Sequence, residues 1–380
     1  MTASIPTMRK DDGEHFLIGK QKKQIVMVKK LKQCVGIDCS MQTLDCTLSY
    51  LKDDLEIEQK AYIVFKNDEA GFKQLVKWAG KHATANVLLQ FVVEATGVYH
   101  QRAASYLVDH GCKVSVVLPS RAKYFAQTLS IKTVNDKISS KTISILGLEK
   151  KLDNWQKPDE VYHAMKQLTR EREDLILEGG QIKNQLHAQE HGAWPHAQTI
   201  KRMNQRLRLL EKQIDAIESD IKQLATSKPE LNERIKNICS IKGVGLITAV
   251  TVIAETDGFS LIRNQRQLVS YAGLDVIEKQ SGISIKTKSR ISHKGNNHLR
   301  KALYFPSLSA ISKNEFIRPW YEKMLSRHQI KMKSIVAVQR KLLILIYTLW
   351  KKNESYNPPS IKYLEQPHVT ALTELNLIRS

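Results

Sequence analysis

The strongest constraint on the fold lies between residues 34 and 118, where short apolar runs alternate with amphipathic ones. "CVGIDCS" is apolar enough to be a buried strand, and "TLDCTLSYL" alternates well enough to be its hairpin partner. "AYIVF" supplies a third strand. There follow a helix, "EAGFKQLVKWAGKH", the strand "NVLLQFVVEA", a helix over 99–110, the strand "KVSVVL" and helical stretches after Pro119. Three consecutive strands and then alternating helix and strand predict an α/β sheet of mixed direction.

Two of these strands carry an acid. A charged side chain inside an apolar strand is costly unless it is paired, protonated or bound to a metal. Asp38 sits within "CVGIDCS"; Glu94 ends "NVLLQFVVEA" just before Thr-Gly, where a strand stops and a site opens. Asp136, the lone carboxylate of "KTVNDKISSKTISILG", starts a helix. Two have a structural alternative: a lysine salt bridge or backbone cap for Asp38, and an N-cap or first-turn role for Asp136. Taken in order, the three are the hard oxygen ligands that a two-metal phosphoryl-transfer site needs for Mg²⁺, brought from separate elements to one sheet edge.

Lys and Arg number 59 against 38 acids, a net charge of +21. Such an excess points to a polyanion, above all nucleic acid. The five cysteines form no CxxC pair and read as reduced core thiols, which argues against a structural zinc site. No signal core opens the chain, and "LLILIYTLW" is too short to span a bilayer, so a soluble cytoplasmic protein is expected.

After a basic leader over 1–33 and the α/β domain over 34–152, residues 153–228 are almost free of Gly and Pro. Leu207, Leu210, Ile214, Ile217, Ile221 and Leu224 repeat at spacings of three and four, a coiled-coil seam. An internal helical hairpin and a dimerising coiled coil both satisfy it. A mainly helical region follows over 229–355, with a tail over 356–380. Its "KGVG" (Lys242, Gly243, Gly245) reads as the turn of a helix-hairpin-helix element, binding a DNA phosphate or simply packing. "SGISIKTKSRISHKGNNHLRK" carries Lys286, Lys288, Arg290, Lys294 and Arg300 but no acid, and suits phosphate oxygens.

The ordered set "VGIDCS", "VVEATGVY", "KTVNDKISSK", "IKGVGLITAVTVIAE", "LVSYAGL", "QSG" and "ISHKGNNHLRKAL" resembles the insertion-sequence transposases known as bridge-RNA-guided recombinases, relatives of the Piv-type DNA invertases. The resemblance implies a RuvC-like (RNase H-like) α/β N-terminal domain, a helical coiled-coil middle and a mainly α, serine-bearing C-terminal domain. It implies four metal-holding acids in the order Asp, Glu, Asp, Asp. The first three fall on Asp38, Glu94 and Asp136, and Ser139 stands where the fourth is due. It places the nucleophile that links covalently to DNA at Ser281, with Ser292 as runner-up. It further implies Mg²⁺, DNA partners at element ends and target, a structured noncoding guide RNA, and a homodimer assembling to a tetramer with composite sites. No membrane enters, and the place of action is the bacterial nucleoid. Transposase and site-specific invertase both remain open, as does a repurposed, catalytically impaired homologue, because a neutral hydroxyl replaces a carboxylate.

Overall fold

A computed structural model describes residues 29–131, 133, 135–260, 262–277, 280–281, 285–286, 290–292 and 294–358. The chain divides into two compact units between Lys157 and Pro158.

The first unit is a five-stranded sheet with helices. Strands β1 (Lys30–Cys39), β2 (Thr43–Lys52) and β3 (Ile57–Lys66) form an antiparallel meander. Helix α1 (Glu69–His82) then leads to β4 (Leu89–Glu94), which pairs parallel to β1. Helix α2 (His100–Asp109) leads to β5 (Lys113–Val117), parallel to β4, and α3 (Pro119–Thr128) and α4 (Asp136–Glu149) follow. The strand order is β3-β2-β1-β4-β5. This mixed sheet, with its helices, fits the RNase H-like domain expected from the sequence.

Its core is built from Val35, Ile37, Leu44, Leu48, Phe72, Phe91 and their neighbours. Helix α4 lies against β1 and runs antiparallel to it. A Cβ on Gly36 would stand 2.2 Å from Ser140 O and Ser144 N, and one on Gly147 would meet Cys34 Sγ at 2.4 Å. Glycine at 36 is therefore what lets the helix backbone reach the strand. Hydroxyl pairs complete the contact, Thr47 with Ser140 and Ser49 with Ser144, each at 2.8 Å and buried. The Ser140 and Ser144 hydroxyls of "KISSKTIS" are thus buried hydrogen-bonding groups, paired as burial requires.

The second unit is mainly helical. Helices α5 (Glu160–Glu190) and α6 (Ala197–Thr226) pair as an antiparallel hairpin, joined across by Arg172–Glu218 at 2.7 Å and Arg206–Glu178 at 3.2 Å. Of the seam residues, Leu210, Ile217 and Ile221 are buried, so the hairpin alternative accounts for the periodicity within one chain. Helices α7 (Pro229–Cys239), α8 (Leu246–Glu255) and α9 (Gln265–Tyr271) come next. Four two-residue strands follow: β6 (Val276–Ile277), β7 (Gln280–Ser281), β8 (Ile285–Lys286) and β9 (Arg290–Ile291). Helices α10 (Asn297–Lys313), α11 (Ile317–His328) and α12 (Lys331–Lys352) close the unit. Its core gathers Ile235, Ile238, Val250, Ile253, Leu299, Leu303, Leu342 and Trp350. The five cysteines are unpaired. Among the described residues no helix is long and apolar enough to cross a membrane.

Candidate active site

In the first unit, β1, β4 and β5 run parallel, so their C-terminal ends share one edge. Asp38 is the next-to-last residue of β1, and Glu94 ends β4. Helix α4 begins at that edge because it runs back along β1, and Asn135 caps it by accepting from the Ile138 amide at 2.9 Å. Asp136 is its first residue, so Asn135 and not Asp136 takes the capping role. The three sequence-predicted carboxylates therefore come to one end of the sheet. Glu149, a later acid, lies at the far end of the same 14-residue helix.

Asp38 is half-buried. Burial lifts its pKa above the ordinary aspartate value, and the charges of Asp136 and Asp45 lift it further. The Cys39 amide and the Ser139 hydroxyl donate to it and partly offset the rise. Burial likewise raises Glu94, with Asp38 adding to it. The charged groups that raise these two acids are other carboxylates, a mutual repulsion that a bound cation would relieve.

Two features of this edge go beyond the expectation. Asp45 lies directly across from Asp38 in the β1–β2 register. Directly opposed strand residues share a face, so a fourth carboxylate borders the site. Asp45 is buried and accepts from the Tyr62 hydroxyl at 2.5 Å, which pushes the Tyr62 pKa up to about 12. In "TLDCTLSYL" it looked like an ordinary polar residue of an alternating strand, and only the cross-strand register reveals it. The second feature is Asn67. Its amide donates to Ser40 O at 2.8 Å and Tyr99 O at 3.1 Å, tying the loop after Asp38 to the loop after Glu94.

The acids suit a hard divalent cation by chemistry, and Asp38 is electrostatic neighbour to both of the others. Among the described residues no three His, Cys, Asp or Glu side chains are gathered into a group able to hold a metal alone. That is compatible with Mg²⁺, which commonly takes one or two carboxylates and completes its shell with water and substrate phosphate.

In the second unit, Ser281 pairs through its backbone with Ile285, and Gln280 with Lys286. Lys288 lies outside the described residues, and Arg290 pairs with Ile277 in the β6–β9 ladder. Ser292 is half-buried and its hydroxyl donates to Asp275 Oδ1 at 2.5 Å. With the Ser292 amide also bonded to Asp275 O at 2.8 Å, this serine closes the ladder. Lys294 is exposed. Arg300 donates to Ala272 O at 2.8 Å and Asn296 O at 3.3 Å, spending guanidinium donors inside the unit.

The turn at Lys242–Gly245 joins α7 to α8. Gly243 has φ +106°, and a Cβ there would press on Ala310 N at 2.7 Å, so this glycine serves packing against α10. Gly245, at the start of α8, has open space around its Cβ position, and Lys242 is exposed. The basic segment is anchored by Glu255, which sequence reasoning passed over as the end of an apolar helix. Its buried carboxylate takes Arg170 at 2.7 and 3.0 Å and Asn296 Nδ2 at 2.6 Å, while Asn296 Oδ1 caps α10. Glu173 similarly receives His298 at 2.6 Å and Lys301.

Two family models match. One, described as "Transposase", covers residues 35–195, and the other, "Transposase IS116/IS110/IS902 family", covers residues 235–322. The chain is 26% identical over 328 residues to the pilin gene-inverting protein of Moraxella bovis, spanning 86% of this chain and 98% of that one. It is 22% identical over 160 residues to the insertion element IS110 43.6 kDa protein of Streptomyces coelicolor, spanning 42% of this chain and 36% of that one. Among solved structures, T. thermophilus RuvC in complex with a Holliday junction substrate matches 33% of this chain and 99% of its own. Identity there is 10% and the TM-score 0.24, too loose a superposition to argue from. The two family models, the first running from the first unit into the helical hairpin of the second and the two together taking in well over half of the sequence, establish that the chain belongs to the IS116/IS110/IS902 family of transposases.

Proposed function

We propose that the protein cuts and rejoins DNA, using the Asp38–Glu94–Asp136 edge with Mg²⁺ and Ser281 as covalent nucleophile. The observation that carries this reading is the edge itself: Asp38 and Glu94 stand at the ends of neighbouring parallel strands and Asp136 starts the helix that begins there, with burial and neighbouring carboxylates acting against the charge of the first two. A bound Mg²⁺ would neutralise developing charge on the phosphate and orient its oxygens. Ser281 Oγ forms the new bond to phosphorus and loses its proton to a base. The old bond from phosphorus to a sugar oxygen breaks, and that oxygen leaves with a proton. Lys242 and Lys294, both exposed, together with Lys286 and Lys288, hold the phosphates. Selection of DNA by a structured RNA and assembly from dimer to tetramer belong to the same reading. So does the choice between moving an element and inverting one, since the strand chemistry is shared.

The test is a recombination assay with a denaturing-gel search for protein-linked DNA. The wild-type protein should give the adduct with Mg²⁺ and none with EDTA, and Ser281→Ala should abolish it. Recombination that persists in Ser281→Ala removes this serine from the role, and Ser292→Ala is then the next variant to assay.

A second reading, an impaired homologue, is favoured by Ser139. Its hydroxyl donates a hydrogen bond to Asp38, where the family pattern has a fourth carboxylate. If the loss is disabling, Ser139→Asp should raise Mg²⁺-dependent activity from near background. Equal, robust activity in both proteins rules that reading out.

A further inference from the structure

The edge that carries the acids also carries apolar side chains that nothing in the first unit covers. Met41 is 63% exposed, Val98 66%, Tyr99 40% and Leu118 66%. Topology places them together. Met41 lies two residues past the end of β1, Val98 and Tyr99 in the loop after Glu94, and Leu118 immediately past the end of β5. Because these three strands are parallel, all three loops leave the sheet at one side. Two sets of bonds hold them adjacent: Asn67 joins Ser40 to Tyr99, and the Ala95 amide donates to Val117 O at 2.9 Å.

Cations stand among them. Arg102, Arg121 and Lys137 occupy the first turns of α2, α3 and α4, the three helices that begin at this edge, and all are exposed. Among the described residues neither arginine is engaged in an ion pair. Lys137 lies over the Tyr62 ring at 5.2 Å.

We infer that this rim binds unpaired nucleotides beside the phosphate to be cut, with bases resting on Val98, Tyr99 and Leu118 and backbone phosphates on Arg102, Arg121 and Lys137. The inference deepens the proposed function and rests on it. Charge chooses the occupant: three carboxylates at one sheet edge, with Arg102, Arg121 and Lys137 in the first turns of the helices that start there, suit a phosphodiester with a metal ion, in a chain of net charge +21. The apolar set then chooses its form. A duplex presents phosphates and groove edges, whereas an opened strand presents base faces, and apolar or aromatic side chains take those faces by stacking or wedging. The rim therefore selects DNA that is already melted or kinked at the cleavage point.

The full-length protein is titrated, with Ca²⁺ in place of Mg²⁺ so that cutting is suppressed, with a single-stranded oligonucleotide containing 2-aminopurine and with the same sequence as duplex. The variants are Val98→Ser/Leu118→Ser, Tyr99→Ala and Arg102→Gln/Arg121→Gln, with Trp194→Ala, a 92% exposed residue of the second unit, as control. All change exposed side chains, and thermal melts verify folding. The first two variants should lose roughly tenfold in single-strand affinity, together with the change in 2-aminopurine emission, while duplex affinity moves less than twofold. The arginine pair should weaken both forms and flatten the salt dependence. Trp194→Ala should behave as wild type. Unchanged single-strand binding in both apolar variants overturns the rim. So does a shift of the protein from dimer to monomer with oligonucleotide binding intact, which would assign the apolar patch to a second copy. Failure of the wild-type protein to bind either DNA is a separate result: it defeats the recombinase reading, and the rim with it.

Discussion

At the residue scale, Asp38 shows how a carboxylate is held against its own stability. Burial and two neighbouring carboxylates act against its charge, while the Cys39 amide and the Ser139 hydroxyl favour it. Asp38→Asn removes the repulsion but keeps the shape. It is expected to raise unfolding stability by about 1 kcal/mol in metal-free buffer while abolishing recombination. Urea titration with and without Mg²⁺ checks this: added Mg²⁺ should stabilise the wild type and leave the variant unmoved. Asp38 and Glu94 were legible in the sequence because an acid in an apolar strand has few cheap explanations. Asp45 was not, because its significance lies in a cross-strand partner seven residues away that only the register supplies. Ser139 was legible as a departure from a pattern, but its hydrogen bond to Asp38 was not.

At the scale of elements, β1 and β4 could be read from their apolar runs, because the sheet is covered on both faces there, and α1 and α2 from the stripe each turns to the core. The turn at Lys242–Gly245 shows where such reading stops. Two glycines in one short turn look alike in sequence, yet Gly243 is fixed by Ala310, more than sixty residues on, and Gly245 faces open space. Gly243→Ala should cost about 2 kcal/mol or more, from the positive φ and the contact with α10. Gly245→Ala, at φ −97°, should change stability by less than about 0.5 kcal/mol. If Gly245 nevertheless approaches a phosphate, its variant should weaken DNA binding with the fold intact. Chemical denaturation and a DNA titration on the same two proteins separate these effects.

At the scale of the whole molecule, the two units should respond oppositely to acid. Burial acts to raise the pKa of Glu255, but Arg170, Asn296 and Lys166 outweigh it and hold the carboxyl below the ordinary glutamate value. Glu173 is held down in the same direction, burial being outweighed by Lys301 and His298. Groups with depressed folded values stabilise the fold above the unfolded pKa and lose that contribution as pH falls through the folded one. Asp38 and Glu94 have raised values, so their unfavourable contribution sets in as pH rises from the ordinary carboxylate value through the raised one. Falling pH should therefore first raise hydrogen-exchange protection in amides of β1 and β4, down to the ordinary carboxylate value, and from there downward remove it from amides of α5 and α8. Glu255→Gln should remove much of the acid sensitivity in α5 and α8 and destabilise the unit at pH 7 by about 3 kcal/mol. This network joins residues 166–173 to 255 and 296–301, spacings that no local pattern in the sequence announces.

The contact of α4 with β1 has a consequence for what substitutions this domain can accept. Gly36, Ser140 and Ser144 share one interface with no slack, and Thr47 and Ser49 are bonded into it. A library randomised at these five positions and selected for activity should return small residues as a correlated set, with hydroxyls changing in pairs. A single methyl group at 36 would move the start of α4, and Asp136 and Ser139 ride on that start. The tolerance of the carboxylate edge to mutation is thus set partly by a position that carries no charge.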